Sequence, residues 1–135
     1  MAGQLIPRKW FVIAKKILFY GLLTCLVSVL IVYVWACWSI GSSVKQISAQ
    51  AAQEYSGDRV EALIAYMQSE KHSLRERNRA VWALGRISDR RALSVLEKFY
   101  MGEACDHNKY LCQHELKKAI NLCKGGLNLC SWVSQ

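Results

Sequence analysis

The sequence predicts an all-α protein, with a single N-terminal transmembrane helix followed by a short α-solenoid of antiparallel helical hairpins. Three observations lead there. Residues 17 to 38, "ILFYGLLTCLVSVLIVYVWACW", contain no charge. Beyond residue 43, apolar side chains recur at the three- and four-residue spacings of an amphipathic helix. Asp58 and Asp89 each follow a short turn and open an apolar helix containing Ala-Leu, and their separation falls in the range of about 20–50 residues that marks stacked repeats.

Each element follows in turn. A helix over residues 17 to 38 is roughly 33 Å long, enough for the hydrocarbon core of a bilayer. Tyr33, Trp35 and Trp38 gather at its far end, where amphipathic rings favour the headgroup boundary. A chain of 135 residues has no domain large enough to enclose such a helix as a soluble core. The expected division is a basic N-terminus at 1–16, the span at 17–40, and a helical domain at 41–135. Arg8, Lys9, Lys15 and Lys16 precede the span, against Lys45 and Arg59 in the stretch that follows, so the N-terminus is expected in the cytoplasm and the domain outside it. A cleaved signal peptide is the competing reading. Its apolar region is normally shorter and ends at small residues, and "VWAC" at 34 to 37 fits a lipoprotein-type cleavage at Cys37 poorly because Trp35 is bulky. Retention as an anchor is therefore expected.

After the span, Val44, Ile47, Ala51 and Tyr55 define a first amphipathic helix, with Ser43 and Gln46 as a capping box. "SGD" at 56 to 58 interrupts it, and Val60, Leu63, Ile64 and Met67 then share the face of a second helix. Ser73 with Glu76 forms another capping box that opens a third helix toward Ile87. His72, just before this cap, is read as solvated. Asp89 is expected to cap a fourth helix burying Ala92, Leu93, Leu96, Phe99 and Tyr100. A fifth carries Cys112, Leu116, Ala119, Ile120 and Cys123 on one side before Gly125 and Gly126 stop it. No single hairpin covers its own apolar side, so stacking has to supply the core. Small Ala80, Ala83 and Gly85 are expected to let the third and fourth helices approach closely, with Gly85 taking the helix-end geometry.

"RNRAVWALGRISDRRALSVL", residues 77 to 96, resembles a HEAT repeat of the phycobilisome-lyase type, through Arg77, Ala80, Ala83, Leu84, Gly85, Asp89, Ala92 and Leu96. Ser88 stands where that family usually has glycine and Arg90 where proline is common. The resemblance covers one repeat well and its neighbours weakly, and it implies a curved helical scaffold for binding proteins. Some members act on bilin pigments, which makes a chromophore-lyase-like enzyme an alternative.

The formal charge is +8, from 18 basic and 10 acidic side chains. Outside the cytoplasm this favours anionic lipid or an acidic protein face over nucleic acid. Projected on the third helix, Arg75, Arg79, Trp82 and Arg86 lie close together opposite its apolar side, a composition common at binding hot spots. The same Trp82 suits packing against an adjacent repeat. Cys105, Cys112, Cys123 and Cys130 fall in the exported part, where disulfides form. Cys112 and Cys123 are about 16 Å apart along a helix, too far to be joined. Cys105–Cys112 with Cys123–Cys130 is the preferred pairing; crossed pairing, or Cys112 and Cys123 as small buried hydrophobes, stays open. Cys105, His107, Cys112 and His114 have zinc-binding side chains, but their spacing is not that of a finger and no metal is expected. A thiol-redox or metal-binding module at this end is the other alternative. In the span, Gly21, Thr24, Cys25 and Ser28 make a small-residue stripe that suits packing against another membrane helix. No phosphate loop, Ser-His-Asp set or paired carboxylates occur, and Glu54, Asp58, Glu61 and Glu70 are scattered as solvated charges. The expectation is a membrane-anchored protein–protein interaction scaffold, an accessory or assembly factor of an envelope complex, without enzymatic activity or cofactor.

Overall fold

The computed structural model describes residues 8–102, 104–106 and 108–134, and every regular element among them is helical. The order is α1 (Arg8–Glu54), α2 (Arg59–Gln68), α3 (Leu74–Ile87), a 3-10 turn (Arg90–Ala92), α4 (Leu93–Phe99), α5 (Gln113–Cys123) and α6 (Ser131–Ser134). The chain forms two compact units, the first ending at Ala36 and the second running Cys37–Gln135.

In the first unit every described side chain from residue 10 to residue 36 is exposed. This stretch makes α1 long and apolar enough to cross a membrane. Two of its hydroxyls bond within the helix: Thr24 Oγ1 donates to the Gly21 carbonyl and Ser28 Oγ to that of Thr24, each at 2.9 Å. Such back-bonding removes the cost of placing a hydroxyl in hydrocarbon. A Cβ built at Gly21 would meet no other atom, so within this chain the stripe of Gly21, Thr24, Cys25 and Ser28 faces open space.

The second unit begins inside α1. The capping box expected at Ser43 and Gln46 does not form, because α1 runs through this position without a break. Ser42 and Ser43 donate instead to the carbonyl of Ser39, the helix-compatible use of a hydroxyl. Cys37, Gly41, Val44, Ile47, Ser48 and Ala51 form the buried stripe of this part of the helix, extending the expected face one turn and more toward the N-terminus.

Asp58 ends the break after α1 by capping α2. Its carboxylate accepts from the amides of Val60 and Glu61 while Glu61 reaches back to the Asp58 amide. Ser73 and Glu76 form the same reciprocal cap on α3. Arg77 Nε donates to the Met67 carbonyl at 2.7 Å, satisfying an acceptor at the end of α2 that the helix itself leaves open. His72 is not solvated as expected. Its ring stacks on Tyr66 with centroids 3.7 Å apart, and Nε2 lies 3.0 Å from the Glu54 carboxylate, which ties the end of α1 to the α2–α3 corner.

Helix α3 lies against both α2 and α5. Ala80, Val81, Ala83, Leu84 and Gly85 are all buried, more of its circumference than one apolar stripe provides. Gly85 is not at the helix end, and the neighbour it admits is α5. A Cβ there would stand 2.7 Å from the Ala119 Cα. The helix-end conformation falls to Ser88, whose φ of 59° is left-handed. This is the position where the resembled family usually has glycine; here the hydroxyl donates to the Gly85 carbonyl and accepts from Asn128, which offsets part of the strain. Ala92 and Leu96 are buried and Leu93 and Phe99 half-buried, but Tyr100 is exposed rather than in the core.

Arg91 joins the two recurring aspartates. Its guanidinium bridges Asp58, the cap of α2, and Asp89, which caps the turn leading into α4. Backbone amides and Arg91 hold both carboxyls below their ordinary range: for Asp58 the Glu61 amide is the larger cause, for Asp89 the Arg91 side chain. The stability these lowered values bring is fully present above the unfolded carboxylate value of about 4 and is lost as pH falls through the folded values. Arg91→Ala is expected to lower stability at neutral pH and to flatten its loss on acidification, so that denaturant midpoints of variant and wild type converge in acid. Midpoints differing by the same amount at every pH would show that the guanidinium does not act through these two carboxylates.

A cleft between α3 and α5, and the cysteines around it

The outer faces of α3 and α5, with the segment after α5, enclose a cleft of about 770 Å³. Trp82 and Arg86 form one wall, Lys118 and Leu122 the other, and Leu127 its rim. Close approach at Gly85 and Ala119 sets the floor. The Arg86 guanidinium lies over the Trp82 ring, 5.8 Å from its centroid, a cation–π distance. Both side chains are half-buried and Trp82 also packs against the core. Trp82 thus packs on the core, as one of its two readings has it, and also lines the cleft. Arg75 and Arg79 are exposed farther toward the N-terminus of α3 and do not line it.

Cations outnumber carboxylates around the cleft. Lys118 pairs with Glu115 at 3.2 Å and Lys124 with Glu97 at 2.8 Å, which with Arg86 leaves one cation in excess; both lysines are exposed and Glu115 is half-buried. Leu127 is 90% exposed at the rim, which gives an apolar contact beside the cationic ones. Sequence projection finds Trp82 and Arg86 but not the α5 wall, because which helix faces α3 is decided by packing rather than by local pattern.

The cysteines pair differently from expectation. Cys130 is bonded to Cys37, at a sequence separation of 93, and not to Cys123. Cys37 sits at the start of the second unit, and Gly41, one turn on, is close enough to Val133 that any Cβ there would collide with it. The bond thus lays the C-terminal segment with α6 along α1. Cys123 is buried, its thiol directed at the Leu84 carbonyl, and burial pushes its pKa up to about 11, so it behaves as a small hydrophobe. Cys105 and Cys112 carry no bond, but their sulfurs lie 3.4 Å apart.

Two side chains hold the loop carrying these sulfurs. Asn78 Oδ1 accepts from the Cys112 amide at 2.8 Å. Buried Gln113 accepts from the Met101 amide and donates to the carbonyls of Phe99 and Leu111, so both its donors and its oxygen serve to close the segment between α4 and α5. The Cys105 sulfur accepts from the His114 amide at 3.3 Å, in the first turn of α5. That amide first, and the Cys112 thiol next, hold Cys105 below the ordinary pKa of a thiol. His107, the remaining member of the zinc-type set, lies outside the described residues.

No protein-family model matches the chain, and no curated protein or solved structure matches it.

Proposed function

We propose that this protein is a membrane-anchored interaction scaffold whose α3–α5 cleft binds an acidic amphipathic segment of another protein, as an accessory or assembly factor of an envelope complex. The observation that carries the reading is the cleft itself, where a tryptophan under Arg86 and an exposed leucine stand beside Lys118 and Lys124, whose carboxylate partners Glu115 and Glu97 leave the cations in excess by one. An apolar anchor within a cationic rim selects a partner with an apolar anchor within an acidic one. Support for anchoring comes from the fully exposed apolar stretch of α1, and support for an extracytoplasmic domain from the Cys37–Cys130 bond, which persists in oxidising compartments. Support for a HEAT-like stack comes from the paired caps at Asp58 and Asp89 that Arg91 joins.

The test is photocrosslinking in native membranes from benzoylphenylalanine in place of Leu127, with the captured protein identified by mass spectrometry. A discrete adduct is expected. Trp82→Ala is expected to weaken it at least tenfold, the size of a hot-spot truncation of about 2 kcal/mol. Lys118→Glu, an exposed change that leaves the core untouched, is expected to weaken it as well. An adduct that survives both substitutions, or none above that seen from position 53 on α1, would sink the reading.

A further inference from the structure

The pair Cys105 and Cys112 is chemically asymmetric. Cys105 is exposed, lies in the non-helical segment between α4 and α5, and has its sulfur at the amide of His114. Cys112 is 8% exposed and fixed as the N-cap of α5 by Asn78. The 3.4 Å between the sulfurs exceeds a disulfide bond of about 2.05 Å by little more than 1 Å. One sulfur meets solvent; the other is within reach of the first and of little else.

We infer that Cys105 and Cys112 form a redox-active dithiol that closes and opens by thiol–disulfide exchange with a disulfide-bearing donor, Cys105 being the attacking sulfur and Cys112 the resolving one. In the first step the Cys105 thiolate attacks one sulfur of the donor, forming a mixed disulfide and releasing the donor's other sulfur as a thiolate, which takes a proton from water. In the second, Cys112 gives up its proton to solvent and attacks the Cys105 sulfur, and the remaining donor sulfur leaves as a thiolate. Two thiols of the protein are oxidised to one disulfide and the donor disulfide is reduced to two thiols. The His114 amide positions the Cys105 sulfur, and by holding its pKa below the ordinary thiol value it raises the share of thiolate, the attacking form. The inference stands whether or not the α3–α5 cleft binds a partner.

Glutathione disulfide serves as the donor, with full-length protein in detergent and Cys25 replaced by serine throughout. Intact mass and peptide mapping after alkylation then report each sulfur. Wild type is expected to acquire the Cys105–Cys112 bond without a lasting glutathione adduct, and to lose it again in reduced glutathione while Cys37–Cys130 stays bonded. Cys112→Ser, which puts a good capping residue at the head of α5, is expected to keep one glutathione on Cys105. Cys105→Ser is expected to modify at Cys112 at least tenfold more slowly than Cys112→Ser modifies at Cys105. A lasting adduct on Cys105 of the wild type, equal modification of Cys112 in Cys105→Ser, or a bond between the two that reduced glutathione opens only together with Cys37–Cys130 would each overturn it.

Discussion

Replacing Cys130 by serine is expected to lower the stability of the second unit by about 2–4 kcal/mol. The Cys37–Cys130 bond spans a sequence separation of 93, so it closes nearly the whole unit into one loop and removes a large part of the freedom of its unfolded chain. In the folded state Asn128 also ties this segment down, donating to the Arg86 carbonyl and the Ser88 hydroxyl, but those bonds do not constrain the unfolded chain. Helix α6 runs only Ser131–Ser134, too short to hold its own conformation, and its approach to α1 at Gly41 and Val133 relies on being tied there. Buried Cys123 supplies a probe, since its thiol is shielded until the core opens. With Cys25, Cys105 and Cys112 replaced by serine in both proteins, pulsed alkylation of Cys123 across a urea series should place the variant's midpoint roughly 1–3 M lower. Reduction of the disulfide-bonded protein should give the same shift. Coincident midpoints would mean that this bond does not constrain the unfolded chain.

What the sequence discloses here is mostly local. The caps at Ser73 and Asp89 are legible because a capping residue and the amides it serves lie within three positions of one another. The cap at Asp58 is a full capping box, and its signal, Asp58 followed three positions on by Glu61, is plain in the sequence. Ser43 with Gln46 carries the same kind of signal and fails. Nothing around it breaks the helix, so the hydroxyl bonds back to Ser39 and α1 continues. The buried face of α5 is legible from its period, but the helix it meets is not, which is why Gly85 was assigned to an approach between α3 and α4 when its neighbour is Ala119. Disulfide connectivity is the least local feature of all. Cys37 stands next to last in the apolar run and reads as part of the span, yet it is the partner that Cys130 finds across the length of the domain.

The cleft and the cysteine loop depend on the same contact. Helix α5 carries Lys118 and Leu122 on the cleft side, the core face at Leu116, Ala119 and Ile120, and the amide of His114 that faces Cys105 at its first turn. Its position on α3 is set at one end by Asn78 and the Cys112 amide and farther along by Gly85 and Ala119. A displacement of α5 from α3 therefore alters the cleft walls and the cysteine pair together.

Gly85→Val is expected to make that displacement and to cost about 3 kcal/mol, at the upper end for overpacking. Even a methyl group at this position would lie 2.7 Å from the Ala119 Cα and 2.9 Å from its Cβ. The first obstacle is backbone, which no rotamer change relieves, so α5 has to move as a body. Gly85→Ala separates this effect from helix propensity. Alanine favours an isolated helix over glycine by about 1 kcal/mol, so a net loss of stability in that variant measures a contact penalty larger than the propensity gain. Ala119→Gly removes the Cβ but leaves the Cα, and is expected to restore only part of what Gly85→Val loses; a double-mutant cycle on the urea midpoints gives the coupling directly. The displaced helix should also pull the Cys112 amide off Asn78, loosening the geometry in which Cys112 meets Cys105, so the glutathione adduct on Cys105, transient in the wild type, should persist in Gly85→Val. Gly85→Ala as stable as wild type, with closure of the cysteine pair unchanged in Gly85→Val, would refute the close packing of α3 on α5.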